Sequence, residues 1–321
     1  MTTRTRGAQT TTVIDPPTKP RPSAVTARDF ARAGATRKAR DSRVKIWVGS
    51  ICALVVILPV ALARVLPLAS PDATDLAKRR LPPLTEGHLF GTDQLGRDLL
   101  ARVLFGGQVS LTIGILAVVV SGLIGLVLGA VAGYWGGWAD TVVSRLLEAQ
   151  LSLPLLMMLL LVVALFGPSI PVITFVIAIA QWPEIARLTR SLCLVEREKP
   201  YVEAAHVLGL GATAILLRHI VPNVIKQVSL VALLLLAQAV LLESALSYLG
   251  AGPQRPFATW GRIIADGQDY VTTSWWLVTL PGLVIALLVV GVNLLGDGLR
   301  DRRGGFKFGL LQRFSLRKKE A

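Results

Sequence analysis

The sequence predicts an all-α polytopic membrane protein with six transmembrane helices, and three observations predict it. Of the 321 residues, 53% are hydrophobic and only 17% charged, with a mean hydropathy of +0.59. A soluble domain of this size needs more charged surface. Apolar stretches long enough to cross a bilayer recur along the chain between polar connections. Finally, the formal net charge of +14 gathers at the two ends, from Arg4 to Lys45 and from Arg300 to Lys319. Basic flanks are held on the cytoplasmic side, so both termini are expected there. Basic tails also occur in nucleic-acid-binding proteins, but retention charges explain these ones, and no nucleic-acid partner is expected.

Residues 1–45, rich in Thr, Pro, Ala and Arg, are expected to form a disordered basic tail. The six-span domain covers 46–301, and a second basic tail covers 302–321. Ile46–Leu66 is the first span, ~31 Å at helical rise. Ala61-Leu62-Ala63 imitates a signal-cleavage site, but the basic region before it is too long, so the span is read as uncleaved. Residues 67–107 balance their charges and are placed outside the cytoplasm. Within them, Thr92 is expected to cap an interfacial helix ending near Gly106. His88, Asp93 and Asp98 have a spacing that could hold a metal, but capping and ion pairs explain them more simply, and no metal site is expected.

The remaining spans are Val109–Tyr134, rich in glycine; Leu146–Phe166, kinked at Pro154; Ser169–Ala186; Val224–Leu249; and Trp275–Leu299. Ser169–Ala186 is expected to run into Gln181-Trp182-Pro183-Glu184 near its cytoplasmic end.

Between the fourth and fifth spans lies Lys199–Asn223, a polar-flanked insert too short and interrupted to cross a membrane. Pro200 suits the first position of a helix, Glu203 its first turn, and Gly209 the left-handed residue that closes it. A second short helix is expected after the Gly209–Gly211 bend, capped by Thr213 and ended or kinked by Pro222. The insert and its flanks carry Arg187, Arg190, Arg197, Lys199, Arg218 and Lys226, which puts them on the cytoplasmic side.

The chain contains no GxxxxGK[ST], HExxH or GxSxG, and only three histidines. No catalytic, cofactor or metal site is therefore expected. Among ionisable residues near membrane depth (Glu148, Glu184, Glu243 and Asp297), Glu243 is read as the deepest. With Ser244 it is either a pathway or gating contact, or a hydrogen-bonded partner of a neighbouring helix. Cys52 and Cys193 are read as small hydrophobes.

Glu203-Ala204-Ala205, then Gly209, then His219-Ile220-Val221-Pro222 resembles the EAA loop of bacterial ABC importer permeases. His219 and Val221 stand where that loop usually has Ile and Leu, a variant resembling the dipeptide, oligopeptide and nickel branch. Three further stretches resemble the C-type permease subunit of that branch: Phe90–Asp98, Glu243–Gly252 with Pro253, Pro256, Trp260 and Gly261 after it, and Asn293–Asp301. The likeness covers about 44–301, and the usual Asp-Pro-Arg ending is missing.

The resemblance implies a type I ABC importer permease fold in a bacterial cytoplasmic membrane. It implies a second homologous permease subunit, two ATPase subunits that carry ATP-Mg, and an extracytoplasmic substrate-binding protein. Glu203, Ala204, Ala205, Gly209, His219 and Pro222 would then couple to the ATPase. Di- or oligopeptides are the implied cargo, with nickel uptake or a stand-alone secondary carrier as the alternatives.

Overall fold

In lipid every backbone donor and acceptor must be satisfied within the chain, and these apolar runs do so as helices. The computed structural model describes residues 24–254 and 256–317, with side chains described over 41–254 and 256–302. The helices are α1 (Ala24–Leu62), α2 (Leu99–Trp135), α3 (Gly137–Leu151), α4 (Leu155–Phe166), α5 (Ile170–Arg197), α6 (Pro200–Val207), α7 (Ala212–Ile215), α8 (Val221–Tyr248), α9 (Trp260–Gly267) and α10 (Trp276–Arg317). Among the described residues no strand forms, only two isolated bridges. Five segments are long and apolar enough to cross a membrane: 41–62 of α1, α2, α5, Ala212–Tyr248, and 276–302 of α10. The pair α3–α4, bent by 89°, makes the sixth.

Several expected boundaries move. Helix α1 begins at Ala24, inside the stretch expected to be disordered; residues 1–23 lie outside the described residues. Helix α10 likewise runs through most of the second tail, to Arg317, and residues 318–321 lie outside the described residues. No separate interfacial helix ends at Gly106. Asp98 caps α2, accepting from the Ala101 N–H at 2.7 Å, and the helix runs unbroken to Trp135. Gly106 and Gly107 mark packing rather than a stop: a Cβ on Gly107 would lie 2.7 Å from the Trp260 ring. Thr92 is buried instead, its hydroxyl accepting from the Leu81 N–H at 2.8 Å and donating to the Lys78 carbonyl.

Pro154 does more than kink its span. It separates α3, which starts at Gly137, from α4. Pro183, by contrast, does not end α5, which continues to Arg197. Nor does Pro222 end the segment before it. Helix α7 starts after Gly211, not at Thr213, and a π turn over Leu216–Ile220 carries it into α8. A wider turn draws the backbone away from the proline ring that an α turn would crowd.

Close backbone approaches set the order of the bundle. A Cβ on Gly125, Gly129 or Gly133 would lie within 2.7 Å of Ile185, Ala186 or Arg190 respectively, so α2 and α5 run parallel along a four-residue glycine repeat. Gly49 and Gly291 do the same for α1 and α10, which run antiparallel. There, Ser42 donates to the Gly298 carbonyl at 3.0 Å and Lys45 pairs with Asp301 at 2.8 Å. These registers put the start of α1, the ends of α2, α5 and α10, and the 199–223 element at one end of the bundle. At the other end, the Gln108 side chain donates to the Val60 carbonyl at 2.9 Å and the Trp260 indole to the Val103 carbonyl at 2.8 Å.

Candidate functional site

The 199–223 element forms as its residues dictate. Pro200 occupies the first turn of α6 and Glu203 supplies the acid there. Gly209 has φ +79°; its N–H donates to the His206 carbonyl at 2.9 Å, and the Leu210 N–H to Ala205 at 3.1 Å. These are the two bonds of a Schellman cap, which needs a residue in the left-handed region.

The element is anchored on one side. Val202, Ala205, Ile215, Leu216 and Ile220 are buried in a cluster with Ala130, Ile185, Cys193 and Val224, on α2, α5 and α8. At its entrance Lys199 pairs with Glu196, and the Tyr201 hydroxyl donates to Glu196 at 2.8 Å. Burial, with that carboxylate beside it, pushes the Tyr201 phenol above its usual range. The Asn223 side chain donates to the His219 carbonyl at 2.9 Å and to the Tyr201 hydroxyl at 3.4 Å, tying the two arms together.

The free side carries Glu203, Ala204, His206, Val207 and Leu208. Ala205 points the other way, 5% exposed and packed on the bundle, so it supports the element and is not placed to touch a partner. Pro222 is exposed and His219 half-buried at the second arm. Sequence reasoning missed Val207 and Leu208, which are 84% and 80% exposed. Their signal was two large apolar residues directly before a capping glycine, where the helix has no further turn to bury them.

Glu243 sits elsewhere, fully buried near the far end of α8. The Ser247 hydroxyl donates to its Oε1 at 2.6 Å, and the hydroxyls of Ser110, Thr259 and Ser244 lie around the same carboxyl group. The chain after α8 folds back over this spot. The Trp260 N–H donates to the Ser110 hydroxyl at 3.3 Å, and a Cβ on Gly261 would lie 2.1 Å from the Ser244 carbonyl.

His88, Asp93 and Asp98 do not converge. Asp93 Oδ2 accepts from Arg97 at 2.7 Å and from Arg102 at 2.6 Å, and Arg102 reaches Asp266 at 3.3 Å. His88 meets Asp98 at 2.7 Å. These arginines line a cleft of about 300 Å³ with Asp72, Phe257 and Arg262, at the end of the bundle opposite the 199–223 element.

Residues 125–303 match the family described as the inner membrane component of binding-protein-dependent transport systems. The chain belongs to this family. It is 39% identical over 254 residues to a putative peptide transport system permease protein of Brucella suis biovar 1 (strain 1330), covering 79% of this chain and 85% of that one. It is 41% identical over 256 residues to the oligopeptide transport system permease protein OppC of Escherichia coli (strain K12), with the same coverage. Against the probable D,D-dipeptide transport system permease protein DdpC of the same strain, identity is 40%, covering 72% and 77%. The fold is like that of a chain in the inward-facing MetNI methionine ABC transporter, with TM-score 0.51 and 18% identity, covering 63% of this chain and 95% of that one. This family member is therefore a multi-pass ABC transport permease, and its helical element at 199–223 lies inside the matched region.

Proposed function

We propose that this chain forms half of the translocation pathway of an ATP-driven importer of di- or oligopeptides. It would pair with a second, homologous permease subunit, with two ATPase subunits at the 199–223 end and a substrate-binding protein at the other. The peptide assignment rests on relatives about 40% identical whose names carry peptide transport, which favours it over nickel. The basic residues at both termini and around 199–223 favour a cytoplasmic position for that end of the bundle. ATP-Mg would be held by the partner subunits.

One observation carries the coupling role: an exposed apolar tip, Val207-Leu208, beside the acidic Glu203, on a short helix stapled to three membrane helices. Exposed apolar pairs on a rigid support suit a groove on another protein. ATPase closure would push the tip, and the packed cluster behind it would pass the displacement to α2, α5 and α8 as a rigid-body movement. The path itself would open between the two permease subunits, and Glu243 with Ser244 would act as a hinge-side contact rather than a lining one.

The test is Leu208→Asp and Glu203→Lys in the purified, reconstituted complex. Either is expected to lower ATP-driven peptide uptake at least tenfold, while the permease pair still assembles. Variant complexes that bind the ATPase and couple hydrolysis to uptake like the wild type would show the docking assignment to be wrong.

A further inference from the structure

Helix α5 continues to Arg197, and Glu184 lies midway along it, one turn before the exposed Arg187 and near the cytoplasmic end of the helix's apolar half. It is exposed, and among the described residues it forms no ion pair. It lines a cleft of about 270 Å³ between α5, α8 and α10, together with Gln238 and Asn293. Both amides are also exposed, and neither has a hydrogen-bond partner among the described residues. The walls between them are aliphatic, from Leu234, Leu241 and Val289.

A carboxylate left facing lipid within a span is costly, and such residues face a water-filled path or a partner instead. Two amides at the same depth on neighbouring helices strengthen the case, because three helices each spend a polar residue on one cleft. Among the described residues, Glu184 is the only charged one lining it. The site is thus built to neutralise one positive charge and to exchange hydrogen bonds with amide groups on either side. A peptide with a free amino terminus has both features.

We propose that this cleft is a cargo-binding site within the pathway, where Glu184 receives the terminal ammonium of a transported peptide and Gln238 and Asn293 bond its backbone. The proposal rests on the peptide-importer reading above. It also places the pathway face of the subunit on α5, α8 and α10, away from Glu243.

The experiment uses the full reconstituted complex with Cys52 and Cys193 replaced by serine and with Gln238→Cys introduced. Labelling by the cationic thiol reagent MTSET and the anionic MTSES is followed, each normalised to its rate with a free thiol. The cationic reagent is expected to be favoured about tenfold, as one nearby carboxylate in a partly aqueous cleft allows. Adding Glu184→Gln should abolish the preference, and trialanine delivered by the binding protein should slow the labelling. In parallel, Glu184→Gln should cut trialanine uptake about tenfold, with Glu184→Asp recovering most of it. Failure to label with either reagent, with or without ATP, would mean that lipid or the partner subunit covers the face, and the proposal falls. It falls too if the charge preference survives Glu184→Gln, or if nickel(II) slows labelling and trialanine does not. A wild-type complex that carries no peptide overturns the peptide-importer reading and this assignment together. Unchanged uptake in Glu184→Gln overturns this assignment alone.

Discussion

Gln150 repairs α5 where Pro183 breaks it. A proline leaves the carbonyl four residues earlier without its helical donor, here that of Ile179. Gln150, one residue before the end of α3, donates its side-chain amide to that carbonyl at 2.5 Å and accepts from the Trp182 indole at 2.7 Å. The bent span therefore holds the straight one together.

Gln150→Leu is expected to leave both the Ile179 carbonyl and the Trp182 N–H unsatisfied, at about 1–3 kcal/mol each. Thermal unfolding of the purified assembly should show the loss. In a Pro183→Ala background, where the backbone N–H returns, the same substitution should cost clearly less. Equal costs in both backgrounds would rule out this repair.

The glycine repeat on α2 makes a comparison within one helix. A Cβ on Gly129 would lie 2.5 Å from the Ala186 carbonyl, whereas Gly122 has open space. Gly129→Ala must push α2 from α5 and is expected to reduce the yield of assembled complex severely; overpacking of this kind typically costs about 1–3 kcal/mol. Gly122→Ala should match the wild type in the same assay.

Asp93 holds two buried arginines at the far end of the bundle. Removing one partner of a buried ion pair costs about 3–5 kcal/mol because the other charge stays buried. Asp93→Ala should therefore destabilise the protein strongly. His88→Ala touches a less buried pair, with side chains 19% and 13% exposed, and leaves Asp98 capping α2, so it is expected to cost less. Thermal melts of the two variants side by side test this ranking; similar losses would contradict it.

Membrane character, helical class and the 199–223 element were legible in the residues because each follows from local chemistry. Apolar length determines whether a segment can span. Pro200, Glu203 and Gly209 determine where α6 starts and stops, and the cap bonds of Gly209 form as its lack of a side chain allows. What the sequence could not specify was whether a proline or glycine ends a helix or is absorbed by it. Pro154 breaks its span, Pro183 does not, and Pro222 is carried through a π turn. The difference lies in partners remote in sequence, such as Gln150, 29 residues from the carbonyl it serves.

Facing belongs to the tertiary structure for the same reason. Glu184 follows Pro183, and because Gln150 satisfies the freed carbonyl the helix continues past both, which aims the carboxylate into the cleft shared with α8 and α10. Ala204 and Ala205 are indistinguishable as neighbours in a motif, yet a helix turns each successive side chain by about 100°, so one faces out and the other is buried. The sequence alone therefore established that the chain crosses the membrane and offers a short helix at one end. Packing between distant helices decided which residues that helix exposes and where a charge could stand within the bundle.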